Sequence, residues 1–570
     1  MKITIAKTAG FCMGVRRAVD MVLDASNTTD GHICTYGPLI HNPQVLTMLK
    51  EKGIPAISEI PEKARGIVLI RAHGVPPADQ KALKKAGFKI INATCPRVIR
   101  VQTIIRKHTS KGYAAIIIGD ADHPEVKGLL GYAGDRGYTV STMEELKGLS
   151  GFDKAVVVAQ TTQNMSFYTE VKDWIKRNYP HYKIFNTICD STEKRQAEVR
   201  QIAEQSDAIV VVGGKQSGNT QRLVQIAMET GKPCFHIEDV SELDFNALCD
   251  ADSVAITAGA STPNWIINKT CKTIEQSFHE KNGFYACGVL KIINFLLKTN
   301  ILLSLGAGSL TYACTRLEGF TYRLSYAAIA MLYILSMQII NNIFTIKSDK
   351  YNNPDRAEFY KENRISLSVL AALSGAGGLF IAFSENFLSF LILAVMSILG
   401  LSYNQRIFSV FTNRSKIKRI KDIPGSKTIL IAAAWGIVTS LLPAVSEANK
   451  IACIPVFLFS SGLTFARTAF FDVLEMQGDR ITGKETLPIL IGEKKSMVMI
   501  KTILISISLV LVLSSWLGIL QTVGFFLSFL PFFMLFVIRY SEKGSLLPGV
   551  RLEFIIEFHF ILAGIIAAIL

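Results

Sequence analysis

The sequence predicts an α/β N-terminal half followed by an all-α bundle of about nine transmembrane helices. Three observations predict this. The chain has 570 residues, more than a single core usually organises, so two or more domains are expected. Residues 1 to about 285 alternate short apolar runs with helical stretches, the pattern of parallel sheets. From about Leu290 onward, apolar runs of roughly 18 to 22 residues recur to the C-terminus, the length of a membrane span. The domains read this way are 1–280, a linker over 281–289, and 290–570.

In the first half the strands are expected at Ile3 to Ala6, Gly66 to Arg71, Ala114 to Gly119, Lys154 to Gln160, Ala208 to Gly213 and Ser253 to Ala258. The opening MKITIAKTAG runs straight into the first of them without a charged region and an apolar core, so no signal peptide is expected. The net charge of +15 suits a membrane protein that gathers Lys and Arg in its cytoplasmic loops better than a nucleic-acid binder. The ten cysteines contain no C-x-x-C pair and lie far apart, which argues against disulfides.

Cys12, Cys95 and Cys189 differ from the other cysteines because each sits in a turn after an apolar strand: Gly10-Phe11-Cys12, Ala93-Thr94-Cys95-Pro96 and Thr187-Ile188-Cys189. Their spacings of 83 and 94 residues hint at a threefold internal organisation. Three thiolates on a 4Fe-4S cluster would leave one iron open to substrate. Three inert buried thiols are the bland alternative. His41, His73 and His123 lie in loops flanked by Gly or Pro, interleaved with these turns, and not on apolar faces. The loops from Gly213 to Thr220 and from Thr257 to Pro263 are rich in glycine, hydroxyls and an amide, a composition that presents donors to phosphate oxygens. The former lacks the Gly-Lys-Ser/Thr ending of a P-loop, so nucleoside triphosphate is not expected.

The segments GFCMGVRRAV, HNPQV, RAHGV, ATCPRV, GDADHPEVKG, QTT, TICDSTEKRQ, VVGGKQSGNTQRL and TAGASTP, in this order over residues 1 to about 275, resemble the 4-hydroxy-3-methylbut-2-enyl diphosphate reductase (LytB) family. The resemblance implies three similar α/β subdomains around a central iron-sulfur cluster. It implies a 4Fe-4S cluster on Cys12, Cys95 and Cys189, and a diphosphate bound by His41, His73, His123, Ser217, Gly218, Asn219 and Ser261. It also implies that Thr161 orients the substrate, that Glu125 supplies protons, and that a ferredoxin or flavodoxin delivers electrons. Gly218 stands where many members carry a second serine. A zinc hydrolase on the same Cys and His residues, and a membrane-tethered iron-sulfur sensor, are the alternatives.

In the second half, spans are expected to begin near Leu290, Tyr322, Ser366, Asn386, Thr428, Ile451, Val498, Thr522 and Glu553. With the N-terminal half in the cytoplasm, the inner loops carry about five, seven, four and three Lys plus Arg, and the outer loops about two, none, one and none. That places the chain in the inner (cell) membrane as a multi-pass protein, with its first half cytoplasmic. Carboxylates near a membrane surface can hold Mg²⁺ against a diphosphate. The stretches Asn341 to Arg356 and Asp472 to Lys484, with Thr486-Leu487-Pro488, resemble the two motifs of the UbiA superfamily of prenyltransferases. The resemblance implies a Mg²⁺ and prenyl diphosphate site at Asn341, Asp349, Asp472, Glu475 and Asp479. Asn342 and Thr345 replace two expected aspartates, so a degenerate membrane anchor is the alternative to a transferase.

Overall fold

The computed structural model describes residues 2–29, 31–248, 251–281, 284–403, 425–447, 451–484, 486–542 and 549–570. The chain divides into two compact units, Met1–Phe278 and His279–Leu570.

The first unit holds three four-stranded parallel sheets. One runs in spatial order Ala56–Ile57, Ile33–Tyr36, Ile67–Ile70, Lys89–Asn92. The next runs Gly137–Val140, Ala114–Ile118, Ala155–Ala159, Lys183–Ile184. Both follow the order 2-1-3-4 in chain sequence. The remaining sheet runs Cys234–Ile237, Ala208–Val212, Ser253–Ala258, Lys2–Ile5, the same order with its fourth strand supplied by the N-terminus. Three similar subdomains therefore result, one of them closed by both ends of the unit. This permutation hides the repeat from a linear reading.

The central strands Ala114–Ile118, Ala155–Ala159 and Ala208–Val212 are buried at every residue, as expected where helices cover both faces of a parallel sheet. Their alternate side chains feed two cores. Ile116, Ile118 and Val157 point to one face of their sheet, and Ala115, Ile117, Val156 and Val158 to the other. Full burial of each Val or Ile side chain contributes roughly 1.5–3 kcal/mol.

The second unit is all-helical around one apolar core. Six of its helices are long and apolar enough to cross a membrane: Leu324–Ile346, Arg364–Glu385, Cys453–Ile481, Glu493–Trp516, Val523–Glu542 and Val550–Ile569. A seventh span results if the pair Gly288–Lys298 and Ile301–Glu318, bent by 74°, is counted as one. It is a multi-pass membrane unit, but the expected nine spans are not reached among the described residues. The segments expected from Asn386 and Thr428 are the apolar helices Phe387–Ser402 and Ser426–Leu441, too short to pass as spans. At 1.5 Å per residue, a helix of about 16 residues falls short of a hydrocarbon core of about 30 Å. The basic loop expected after the fourth span falls largely on residues 404–424, outside the described residues. Of the expected linker 281–289, residues 282–283 are also outside them, and the rest from Phe284 belongs to the helix Phe284–Lys298.

Candidate active site

In the first unit the expected residues fall in loops beyond the carboxyl ends of parallel strands, where α/β sheets place their ligands. The first strands of the three sheets end at Tyr36, Ile118 and Val212, and His41, His123 and Ser217 each follow by five residues. The third strands end at Ile70, Ala159 and Ala258, followed at once by the turns that carry His73, Thr161 and Ser261. The fourth strands lead to Cys95, Cys189 and Cys12. Each of these cysteines is the residue that caps a helix: Pro96–Thr109, Asp190–Glu204 and Met13–Thr28.

The same symmetry holds in the backbone. The amides of Cys12, Cys95 and Cys189 donate to the carbonyls of Ala260, Ala72 and Thr161, at 3.1, 2.9 and 2.9 Å. Each acceptor lies two residues past the end of a third strand. The thiols are half-buried. Burial pushes the Cys95 thiol up, the Arg97 and Val98 amides pull it down, and the facing Cys12 and Cys189 thiols push it up again. Gly14 is needed for this approach, since a Cβ there would stand 2.5 Å from Cys95 Sγ. Three thiols of this kind, each at the start of a helix, fit a cluster held by three cysteines.

The histidine rings of His41, His73 and His123 lie together, with centroids 4.8, 5.4 and 6.0 Å apart. Burial lowers all three pKa values, that of His123 to about 4; Arg71 adds to it at all three and repulsion from neighbouring rings adds to it at His73 and His123, so the rings are neutral at pH 7. Among the described residues theirs is the only set of three His, Cys, Asp or Glu ligand atoms that could share one ion, all within 4.8 Å. The three cysteine thiols are not part of that set. His123 Nδ1 accepts the Glu125 amide at 3.1 Å as a helix cap, so its Nε2 carries the proton and serves as a donor. His41 Nε2, His73 Nδ1, Asn219 Nδ2 and Thr220 Oγ1 are buried with no hydrogen-bond partner within the protein. Such groups cost roughly 1–3 kcal/mol each unless a ligand satisfies them. Ser217 caps the helix Gly218–Met228, and Gly218 faces His123, whose Nε2 would lie 3.4 Å from an added Cβ. A phosphate-sized anion fits donors arranged this way.

Glu125 is 1 % exposed. Its two oxygens accept the Thr161 amide at 2.7 Å and the Thr161 hydroxyl at 2.8 Å. Burial pushes its carboxyl up to about 7 against these two bonds, which pull it down. A carboxyl poised there can hand over a proton at neutral pH.

Arg195 was not read from the sequence as a site residue. Buried, it donates to the carbonyls of Ala258 at 3.1 Å and Gly10 at 2.6 Å and fixes the turn that carries Cys12.

In the helical unit, Asp472 and Asp479 lie on the helix Cys453–Ile481, with Glu475 one turn from each. Asp472 accepts Lys427 Nζ at 3.0 Å and Thr428 Oγ1 at 2.7 Å. Asp479 accepts Asn352 Nδ2 at 2.8 Å, and Lys484 bridges it to Asp349 at 3.4 and 3.5 Å. Thr345, at one of the replaced aspartates, donates to Asp349 at 2.6 Å. Asn341 lies about two turns before Asp349 on the helix Leu324–Asn352. Gly478 is required because Asn352 occupies the place of its Cβ, 1.7 Å away. Asp479 Oδ2 is buried without a hydrogen-bond partner and fits a hard cation such as Mg²⁺. Asn352 and Lys484 fall within the two motif stretches, whereas Lys427 and Thr428, which contact Asp472, were not read as site residues.

The chain matches the LytB protein family over residues 3–275 and the UbiA prenyltransferase family over residues 301–545. It is 38% identical to the 4-hydroxy-3-methylbut-2-enyl diphosphate reductase of Trichlorobacter lovleyi over 276 residues, which covers 48% of this chain and 98% of that one. It is 40% identical to the same enzyme of Aquifex aeolicus over 277 residues, 48% of this chain and 96% of that one. Among solved structures it is similar to the E-1-hydroxy-2-methyl-but-2-enyl-4-diphosphate reductase of Plasmodium falciparum, at 27% identity and a TM-score of 0.46, over 48% of this chain and 87% of that one. It is also similar to a UbiA homolog from Archaeoglobus fulgidus bound to GPP and Mg²⁺, at 15% identity and a TM-score of 0.36, over 48% and 98%.

Proposed function

Because the chain belongs, over residues 3–275, to the LytB family of 4-hydroxy-3-methylbut-2-enyl diphosphate reductases, we propose that its first unit reductively removes the hydroxyl of that allylic diphosphate. The products are isopentenyl and dimethylallyl diphosphate, and two electrons and two protons are consumed as water leaves. The observation that carries this reading is the threefold placement of one capping thiol and one strand-end donor per subdomain.

When bound on Cys12, Cys95 and Cys189, a 4Fe-4S cluster supplies reducing electrons and an iron with an open position for the hydroxyl. His41, His73, His123, Ser217, Asn219 and Ser261 hold the diphosphate, and the unpartnered nitrogens of His41, His73 and Asn219 gain acceptors when it binds. Thr161 both fixes Glu125 and faces the substrate, and Glu125 delivers the proton. The test is an anaerobic assay of the cluster-reconstituted chain with the hydroxylated five-carbon diphosphate and a chemical reductant. Cluster-loaded protein with no turnover would put an iron-sulfur sensor in first place.

Gly218→Ser puts a Cβ 3.4 Å from His123 Nε2 and adds a hydroxyl on that side chain. It is expected to change substrate KM about two- to fivefold, the effect of a single hydrogen bond of roughly 0.5–1 kcal/mol, with kcat nearly unchanged. Steady-state kinetics would show it, and an unchanged KM would mean that the position does not matter.

For the helical unit we propose Mg²⁺-assisted transfer of a prenyl group to an acceptor. Asn341, Asp349, Asp472, Glu475 and Asp479 would hold the cation, and Lys427 and Lys484, which contact these carboxylates, would stabilise the diphosphate leaving group. We propose that the first unit faces the cytoplasm, a reading supported by the excess of Lys and Arg in the loops expected on that side. Asp479→Asn keeps the bond from Asn352 but removes the charge. Binding of a prenyl thiodiphosphate to the chain in detergent with Mg²⁺ is expected to weaken at least tenfold, about 1.4 kcal/mol. The Thr345–Asp349–Lys484 contacts favour a second reading, a degenerate anchor whose cation site is already filled by side chains. A chain that binds the analogue only after Asn342→Asp and Thr345→Asp would establish it.

A further inference from the structure

The residue that follows the first strand of each subdomain is a glycine: Gly37, Gly119 and Gly213. The residue that follows the third strand differs, being Arg71, Gln160 and Gly259 in turn. In two subdomains the glycine leaves room for that side chain. A Cβ at Gly37 would stand 2.8 Å from Arg71 Nη1, and one at Gly119 would stand 2.9 Å from Gln160 Oε1. Arg71 and Gln160 are therefore equivalent side chains of the repeat, beside the turns that carry His73 and Thr161.

Gln160 is satisfied within the protein. Its Oε1 accepts the Asp120 amide at 3.0 Å, and its Nε2 donates to the Thr162 hydroxyl at 2.9 Å. Arg71 is half-buried and is satisfied only in part. Its Nε donates to the Gly74 carbonyl at 3.3 Å, but among the described residues its Nη groups have no hydrogen-bond partner and no carboxylate lies at ion-pair distance. Asp79 acts on it through space and is held instead by the Tyr36 hydroxyl, at 3.2 Å. Arg71 also lies close enough to His41, His73 and His123 to disfavour a proton on each.

The histidine site has little other positive charge. Its three rings are neutral, and Ser217, Asn219 and Ser261 offer only neutral donors. Arg222, on the helix Gly218–Met228, pairs with Asp120 at 3.0 Å, and Lys215 pairs with Glu242 at 2.8 Å. A diphosphate carries about one more negative charge than a phosphate at neutral pH. A guanidinium meets such oxygens with paired N–H groups and a fixed charge.

We infer that Arg71 is a further substrate-binding residue of the first unit: its Nη groups donate to the diphosphate, supply the charge that the three histidines lack, and set a preference for diphosphate over phosphate. The inference rests on the reductase reading for the identity of the substrate, but the binding can be measured without turnover.

The experiment uses the full, cluster-loaded chain in detergent, under anaerobic conditions and without Mg²⁺, so that the helical unit does not compete for the probe. Inorganic diphosphate and inorganic phosphate are the probes. Calorimetry gives their Kd, and inhibition of turnover with a chemical reductant gives their Ki, for the wild type, Arg71→Gln, Arg71→Lys and Asp79→Asn. Arg71→Gln is expected to raise the Kd and Ki of diphosphate and the substrate KM about tenfold or more, the loss of a charge-assisted hydrogen bond, with kcat within about threefold and iron content unchanged. Phosphate binding should weaken less, so that the preference for diphosphate falls. Arg71→Lys keeps the charge and is expected to recover most of the loss, a rescue that a purely structural arginine would not show. Asp79→Asn leaves Arg71 in place, removes an opposing charge and is expected to tighten diphosphate binding. Diphosphate affinity that is unchanged in Arg71→Gln, or that falls no more than phosphate affinity, would overturn the proposal. Should Arg71→Gln not hold its cluster, an Asp79→Asn variant that binds diphosphate no tighter than the wild type overturns it. If the wild type binds diphosphate but turns nothing over, the reductase reading fails, and calorimetry still decides the role of Arg71.

Discussion

Cys95→Ser is expected to abolish the visible absorption of the reconstituted protein and to reduce turnover at least a hundredfold, while the first unit stays folded. Serine is among the best residues to cap a helix, so Pro96–Thr109 keeps its start, and the smaller side chain adds no clash with Gly14. What is lost is one thiolate of three. Iron analysis and anaerobic spectra measure the first effect, and circular dichroism checks the fold. A variant that still binds a full complement of iron would show that Cys95 is a structural cap and not a ligand.

The second large effect is expected at Glu125. Glu125→Gln keeps the size of the side chain and one acceptor for Thr161 but cannot give up a proton. General acid catalysis typically contributes 10²–10⁴-fold, so turnover should fall by about that factor with iron content unchanged. The pH dependence has a definite sign. The carboxyl must be protonated to act, and burial raises its pKa from the ordinary 4.5 to about 7. Wild-type turnover should therefore decline as pH rises through about 7, and that limb should be missing from the residual activity of the variant. Linkage adds a stability effect. The folded state holds this proton more tightly than the unfolded chain, so stability falls as pH rises from 4.5 to about 7. The full cost, about 3 kcal/mol for a shift of this size, applies above that range. Denaturation of the wild type at pH 5 and pH 8, beside Glu125→Gln, measures it. A pH-independent variant as active as the wild type would remove Glu125 from the chemistry.

Much of the fold was legible because it rests on local patterns. Six strands read from their apolar runs lie within about a residue or two of the observed ones. Ile33–Tyr36 escaped because Cys34, Thr35 and Tyr36 break its apolar run. Ala56–Ile57 and Lys183–Ile184 escaped because two residues carry no periodicity. Lys89–Asn92, Gly137–Val140 and Cys234–Ile237 are edge strands with half-exposed side chains. In the helical unit, apolar length located every segment, but Phe387–Ser402 and Ser426–Leu441 are too short to count as spans.

By itself the sequence determined the division into an α/β half and a membrane half, and the identity of the turn cysteines, loop histidines and carboxylate motifs. It could do so because run length, turn residues and motif spacing are properties of neighbours along the chain. Only the tertiary structure decided which of these residues share a site. Thr161 clamps Glu125 across 36 residues, Asn352 holds Asp479 across 127, and Arg195 fixes the Cys12 turn across 185. It also showed that His41, His123 and Ser217 are equivalent positions of a threefold repeat, one copy of which takes its last strand from the N-terminus. Hydrogen bonds and burial between distant segments leave no periodic trace in the chain. They arise only when the sheets and helices pack and take the polar groups between them out of water, where each must find a partner or a ligand.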